Sequence, residues 1–144
     1  MTQSFFIPMV LPNLNDMVKA AKQGRRGYQP YAKQKAQVEQ VICQCIRKAK
    51  LKAVVYPVVL HMIWTEPNRR RDKSNVRAGV KFIEDALVKS GILNNDGWNQ
   101  IHHHKDYYMV DKQHPGVMVH IYYPERHLKH GTSYIGTSAH PEPV

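Results

Sequence analysis

Two aspartates stand in positions where carboxylates can do chemistry. Asp72 follows a predicted strand, and Asp96 lies in the turn after the next predicted helix. Because that helix returns the chain antiparallel to the strand, the turn can bring Asp96 to the same edge of the sheet. Carboxylates suit Mg²⁺, which keeps several waters and accepts a phosphate oxygen. Such an ion stabilises charge on a phosphodiester and helps to generate hydroxide for in-line attack. Each aspartate alone is more typical of a helix cap or a turn.

Basic residues crowd around Asp72. Of the eleven Lys and Arg residues in 66–144, six fall in one short window: Arg69, Arg70, Arg71, Lys73, Arg77 and Lys81. Such residues would hold a DNA backbone that the carboxylates alone would repel. A solvated run of surface charge is the plainer alternative.

The whole chain of 144 residues is basic, with a formal net charge of +10. The first 65 residues hold ten Lys and Arg, among them Arg25 and Arg26, against only Asp16 and Glu39. This excess predicts a polyanionic partner. No apolar run approaches the ~20 residues of a membrane span, and no secretion signal is evident. We therefore expect a cytoplasmic protein with reduced thiols at Cys43 and Cys45, and no membrane partner.

The apolar pattern predicts one α+β domain over 1–144, a small mixed sheet with helices packed against it. Residues 15–30 are predicted to form an exposed arm or loop, and 126–144 a loose tail. Ser74 or Asn75 can cap the second helix, which Gly91 ends. The predicted strands are 5–11, 54–64, 101–110 and 116–123, and the predicted helices are 31–50 and about 76–90.

The segment 69–101 resembles the RusA family of Holliday junction resolvases, in the versions found in phages and prophages. It reads R-R-R-D-K-S-N-V-R-A-G-V-K-F-I-E-D-A-L, followed by V-K-S-G-I-L-N-N-D-G-W-N-Q-I. The family pattern has basic residues, then D-x-D-N, a helix with K-F-I-x-D-A-L, and a loop with N-D. The resemblance implies an Mg²⁺-dependent homodimeric endonuclease, with Mn²⁺ as an alternative ion and no small-molecule cofactor. It would cut four-way DNA junctions in recombination and repair, inside a bacterial or phage-infected cell.

The resemblance also implies roles for individual residues. Asp72 and Asp96 match catalytic, metal-binding aspartates, and Lys81 matches an active-site lysine that neutralises the scissile phosphate or the leaving oxygen. Asp85 is a further possible ligand, or it orients Lys81 through an i,i+4 pair. Asn75 matches a pattern position and is expected to cap the helix. The expected DNA contacts are Arg69, Arg70, Arg71, Lys73, Arg77, Arg25 and Arg26.

Ser74 stands where the family has its second aspartate. A serine hydroxyl is a weak neutral ligand, so the site loses one negative charge that would attract Mg²⁺. The alternatives are weakened metal affinity, replacement by Asp85 or Glu84, or junction binding without cleavage. A basic RNA-binding protein is a third function class, which would leave Asp72, Lys81 and Asp96 as coincidence.

Trp98 and the three histidines 102–104 have plainer interpretations. We expect Trp98 to pack in the core or in a dimer interface, with stacking on an unpaired base as the alternative. Consecutive strand residues point to opposite faces, so the three histidines cannot bind one ion together. A surface or DNA-facing role is expected for them.

Overall fold

The computed structural model describes residues 2–13, 15, 18, 19, 22 and 28–124, and for 28–31 the backbone alone. Arg25, Arg26 and the predicted tail 126–144 lie outside the described residues. No helix in the described ranges is long and apolar enough to cross a membrane. The elements are β1 (Thr2–Ile7), α1 (Tyr28–Lys48), β2 (Val58–Glu66), α2 (Lys73–Arg77), α3 (Val80–Lys89), β3 (Ile101–Val110) and β4 (Gly116–Tyr122).

The four strands form one mixed sheet in the order β1-β4-β2-β3. β4 pairs antiparallel with both β1 and β2, whereas β2 and β3 run parallel. A parallel pair cannot be joined by a tight hairpin, and the chain between β2 and β3 contains α2 and α3. The α+β architecture predicted from the sequence is confirmed.

The core lies on one side of the sheet. Alternate residues of β2 (Leu60, Met62 and Trp64) are buried, as the period of two in a strand requires. They share one apolar cluster with Ile42 of α1 and Phe82 of α3. This packing holds both helices against the sheet and fixes the direction in which α3 runs.

The predicted bounds differ from the observed ones at three elements. β1 ends at Ile7, where the sequence suggested a strand over 5–11. The prediction of a loop over 15–30 is wrong for every described residue in that range: Asn15, Val18, Lys19 and Lys22 are helical, and helix α1 begins at Tyr28. Pro30 lies in the first turn of α1, where the missing N–H leaves no helical bond unmade. β2 begins just after Pro57, which also lacks a ladder donor.

The single helix predicted over 76–90 is two helices that meet at Gly79. A Cβ at Gly79 would lie 2.9 Å from Leu11 Cβ and 3.4 Å from the Trp64 ring. The chain therefore turns between α2 and α3 where only a glycine lets it approach the core this closely. The N-cap of α2 is Asp72, whose side chain makes no capping bond. The predicted capping role of Ser74 or Asn75 is wrong, because both lie inside α2.

Replacing Gly79 by alanine should destabilise the protein by about 1–3 kcal/mol, because the added methyl overpacks the contact with Leu11. Urea denaturation measures the free energy of unfolding. Ala78→Ser, at the exposed neighbouring position, should stay within about 0.5 kcal/mol of wild type. Equal stability of Gly79→Ala and wild type would contradict close packing at this turn.

Candidate active site around Lys81

Lys81 joins two carboxylates from different segments. Its Nζ lies 2.8 Å from Asp96 Oδ2 and 3.3 Å from Asp85 Oδ1. Lys81 is in the first turn of α3, Asp85 is one turn later, and Asp96 is in the loop before β3. These three residues form the Lys81 cluster. The lysine side chain is 54% exposed, so the cluster is open to a ligand from solvent.

The loop between α3 and β3 delivers Asp96 to this position. Gly91 adopts φ +77° after the end of α3, in the left-handed conformation that ends many helices. The N–H groups of Ile92 and Leu93 then donate to Leu87 O, and both side chains are buried. With the loop anchored in this way, Asp96 reaches Lys81, and its N–H donates to Asn95 Oδ1. The predicted turn therefore places Asp96 in contact with Lys81, which belongs to a different segment.

Charge coupling keeps the cluster ionised. The hydrogen bond from Lys81 lowers the pKa of Asp96 below its usual value. The hydrogen bond to Asp96, with a smaller contribution from Asp85, raises the pKa of Lys81. The Nζ atom of Lys35 lies 3.8 Å from Asp85 Oδ2 and adds a second cation at the edge of the cluster. At neutral pH Asp96 is therefore held as a carboxylate and Lys81 as an ammonium.

Asp72 lies outside this contact network. It is exposed at the N-cap of α2, and its carboxylate makes no ion pair or hydrogen bond with another described residue. Ser74 and Asn75 are also exposed, on α2. The structure thus brings Lys81, Asp85 and Asp96 together as the sequence suggested, but it does not join Asp72 to them by direct contact.

Two of the predicted DNA-contacting arginines are occupied by intramolecular ion pairs. Arg71 donates from Nε and Nη2 to the two carboxylate oxygens of Glu66, and from Nη1 to Leu11 O. Arg77 Nε donates to Asp106 Oδ2 at 2.9 Å. Both therefore have structural roles, which sequence reasoning missed.

Three basic residues of the window form no ion pair with a described residue. Arg69 and Arg70 are exposed and form no ion pair with a described residue. Lys73 is exposed and lies over the Tyr108 ring, with Nζ 5.4 Å from the ring centroid. We define Arg69, Arg70 and Lys73 as the free basic group. In sequence it precedes Lys81 by eight to twelve residues, and helix α2 begins at Lys73.

Charged contacts beneath the site tie α3 and β2 to the edge strand β3. Asp106 accepts from Trp64 Nε1 at 2.7 Å as well as from Arg77. His104 Nε2 lies 2.7 Å from Glu84 Oε2. His104 is therefore only partly exposed and is engaged with Glu84, whereas His102 and His103 are exposed. Alternate residues of a strand share one face, so 104, 106 and 108 lie on the same face of β3. This spacing is the sequence signal that could have predicted the orientation of His104.

Trp98 is 98% exposed, so the expectation of core packing is wrong. It lies two residues after Asp96, in the same loop. Its ring is the most exposed large hydrophobic side chain of the described residues.

The donor set partly suits a hard cation. Asp85 and Asp96 supply carboxylate oxygens of the kind that Mg²⁺ prefers. Among the described residues, however, no group of three or more His, Cys, Asp or Glu side chains is arranged to hold a metal ion. Both carboxylates are instead paired with the single ammonium of Lys81. An ion would therefore have to share these oxygens with Lys81 or displace it, and phosphate oxygens would complete its ligands.

The comparisons with known proteins identify no family. No protein-family model matches the chain, and no curated protein matches it either.

Arg71→Ala should destabilise the protein by about 1–2 kcal/mol, because it removes charged hydrogen bonds between the 66–71 loop and the chain at Leu11. Arg70→Ala removes the same side chain one residue earlier, where no ion pair is lost, and should stay within about 0.5 kcal/mol. Urea denaturation of both variants measures this. Equal effects would contradict the division between occupied and available arginines.

Lys81→Met should raise the pKa of Asp96 toward the usual value of about 3.9. The lowered pKa means that the pair stabilises the fold above the usual carboxyl pKa and loses this effect as pH falls through the lowered value. The raised pKa of Lys81 means the reverse at the alkaline end: stabilisation is present below the usual lysine pKa and is lost as pH rises through the raised one.

Side-chain carboxyl NMR over an acid titration measures the Asp96 pKa directly. Lys33→Met removes an exposed lysine of α1 and should leave the pKa of Asp96 unchanged. The same Asp96 titration in wild type and in Lys81→Met would contradict the geometry of the Lys81 cluster.

Proposed function

We propose that this protein is an Mg²⁺-dependent, structure-selective endonuclease that cuts branched DNA, with four-way junctions as its substrate, like the RusA family that the segment 69–101 resembles. The observation that carries the proposal is the Lys81 cluster, in which an exposed lysine forms ion pairs with two carboxylates from different segments. The free basic group precedes it in the same stretch of sequence. The net charge of +10 supports a polyanionic substrate.

In this proposal the free basic group binds the DNA backbone. Arg69, Arg70 and Lys73 have exposed side chains without ion-pair partners among the described residues, so their charge is available to phosphates. Arginine suits phosphate because its planar donors match two oxygens at once. Binding through backbone charge releases counterions and weakens steeply with salt. Such contacts read the shape of the substrate rather than its sequence.

Lys81 is the group that meets the reacting phosphate. Asp85 and Asp96 hold its ammonium in place and keep it protonated, so it can neutralise charge on the phosphate or donate a proton to the leaving oxygen. Asp85 and Asp96 would hold Mg²⁺, or Mn²⁺, together with phosphate oxygens of the substrate, and the charge of the ion would favour attack by water at phosphorus. The resemblance makes Asp72 a further ligand, although no described contact joins it to the Lys81 cluster. Ser74 contributes at most a weak neutral ligand.

A homodimer fits this activity. Resolution of a four-way junction requires two nicks in opposed strands, and a two-fold dimer presents two equivalent sites to a substrate of similar symmetry.

A second candidate function is branched-DNA binding without cleavage. Two observations favour it: Ser74 stands where the family pattern has a carboxylate, and Lys81 already forms ion pairs with both Asp85 and Asp96. Such a protein would keep the free basic group and its affinity for DNA, but would not recruit a metal ion.

Asp96→Asn tests the proposal, because it keeps the size of the side chain and removes the charge. We expect wild type to cut a synthetic four-way junction with Mg²⁺ and not with EDTA. The variant should lose at least about a hundredfold in cleavage rate and bind the junction as tightly as wild type, or more tightly. Asp111→Asn, in the turn between β3 and β4, is the matched control and should cut normally.

Cleavage by Asp96→Asn at the wild-type rate would contradict the nuclease assignment. Binding of the junction by wild type without cleavage in Mg²⁺ or Mn²⁺ would favour the second candidate. Preference for a structured RNA over junction and duplex DNA in competition would contradict both.

Ser74→Asp tests the cost of the missing carboxylate. We expect it to raise the cleavage rate at least about tenfold at low Mg²⁺, because it adds a charged oxygen ligand near Asp72. Asn75→Asp adds the same charge at the next exposed position of α2 and serves as the control. An equal gain in both variants, or no gain in either, would contradict a specific ligand role at position 74.

A further inference from the structure

We propose that Trp98 stacks on an unpaired base of the DNA and thereby gives the protein its preference for branched over duplex DNA. This inference rests on the proposed function and deepens it, since it assigns the selectivity of that site to one side chain. The observation that carries it is the exposure of the Trp98 ring, which is 98% in a loop that the structure otherwise anchors firmly.

The loop around Trp98 is hydrogen-bonded on both sides of the ring. Gly97 N–H donates to Gln100 Oε1 at 3.2 Å, and Ile101 N–H donates to Gly97 O at 3.0 Å. Before Asp96, the buried side chains of Ile92 and Leu93 attach the loop to the core. The backbone is therefore fixed in a conformation that presents the ring to solvent. A tryptophan held in this way forgoes the hydrophobic stabilisation that burial would give.

The surroundings of the ring favour nucleic acid over a protein partner. Protein interfaces place aromatic anchors within patches that are apolar at their centre. The other exposed large hydrophobic residues of the described chain lie elsewhere, and none falls in 90–100: Phe6, Val18, Val41, Val55, Tyr107, Met109 and Val110. The residues around Trp98 in sequence are Asn94, Asn95, Asp96, Gly97, Asn99 and Gln100, none of which is a large apolar side chain. An exposed aromatic ring among polar groups, in a basic protein, is typical of a stacking site for single-stranded nucleic acid.

Stacking on Trp98 would also position the substrate. Asp96 and Trp98 are separated by about 7 Å of chain at most. Because Asp96 binds Lys81, a base on the ring places its own backbone beside the ammonium that meets the reacting phosphate. In duplex DNA both faces of a base are covered by its neighbours. Only a branch point or a single strand offers a free face, so the ring selects for these structures.

Intrinsic fluorescence tests the contact directly, because the chain has two tryptophans and only Trp98 is exposed; Trp64 is 2% exposed. The probes are oligothymidylate, a four-way junction with unpaired thymines at the branch, and a duplex of the same length. We expect oligothymidylate and the junction to quench the emission, and the duplex to leave it nearly unchanged. In Trp98→Phe the quenching should disappear.

Affinities of variants measure the energetic contribution. Trp98→Ala should weaken junction binding about ten- to a hundredfold and change duplex binding by less than about twofold. Trp98→Phe keeps an aromatic face and should retain most of the junction affinity. Asn99→Ala, the next exposed residue of the loop, is the matched control and should bind as wild type does.

Equal loss of junction and duplex affinity in Trp98→Ala, or no quenching of wild type by oligothymidylate, would overturn the inference. A change of molar mass of Trp98→Ala in light scattering, with unaltered junction selectivity, would assign the ring to self-association instead and would also overturn it. If wild type cuts the junction while Trp98→Ala keeps full selectivity, this inference fails and the proposed function stands. If wild type neither prefers nor cuts the junction, the proposed function itself fails.

Discussion

The parallel pairing of β2 with β3 is the constraint on which the site depends. A parallel partner must enter the sheet at the same end as β2, so the chain has to travel back along the sheet before β3 can begin. Helix α3 makes that return, and Gly79 lets α2 and α3 turn tightly against Leu11 and Trp64. The loop that follows must then lead into β3, and on that path it carries Asp96 to Lys81.

Ion pairs divide the cations of this basic chain into two groups. Arg71 and Arg77 bind Glu66 and Asp106, which are mostly buried, and a buried carboxylate is costly unless it is paired. These arginines stabilise the fold and contribute less charge to the surroundings. Arg69, Arg70 and Lys73 have no such partner among the described residues, so their charge faces outward. The net charge of the chain therefore overstates the positive charge that this window offers to a ligand. Which basic side chains stay unpaired depends on where the carboxylates lie in the folded protein.

Much of the fold could be predicted from the sequence, because its strands and helices follow the local spacing of apolar residues. The observed bounds of β3 agree with the predicted ones, and β4 starts at the predicted residue. The β-prone run of β2 and the amphipathic pattern of α1 also predicted a strand and a helix in these places. Contacts between distant segments could not be predicted. The break at Gly79 results from a side chain 68 positions earlier in the chain, Leu11. The pairing of Arg77 with Asp106, and the exposure of Trp98, likewise depend on where a loop or strand lies after folding, which composition and spacing do not encode.

We propose that the carboxylates around Lys81 form a metal-dependent centre. Paramagnetic broadening by Mn²⁺ tests it most directly, since substoichiometric Mn²⁺ broadens the NMR signals of nuclei near its binding site. In the presence of an uncleavable junction, we expect the amide signals of Asp85 and Asp96 to broaden first, and well before that of Asp111. Broadening centred on Asp111 or on the exposed histidines of β3, with the signals of Asp85 and Asp96 unaffected, would contradict it.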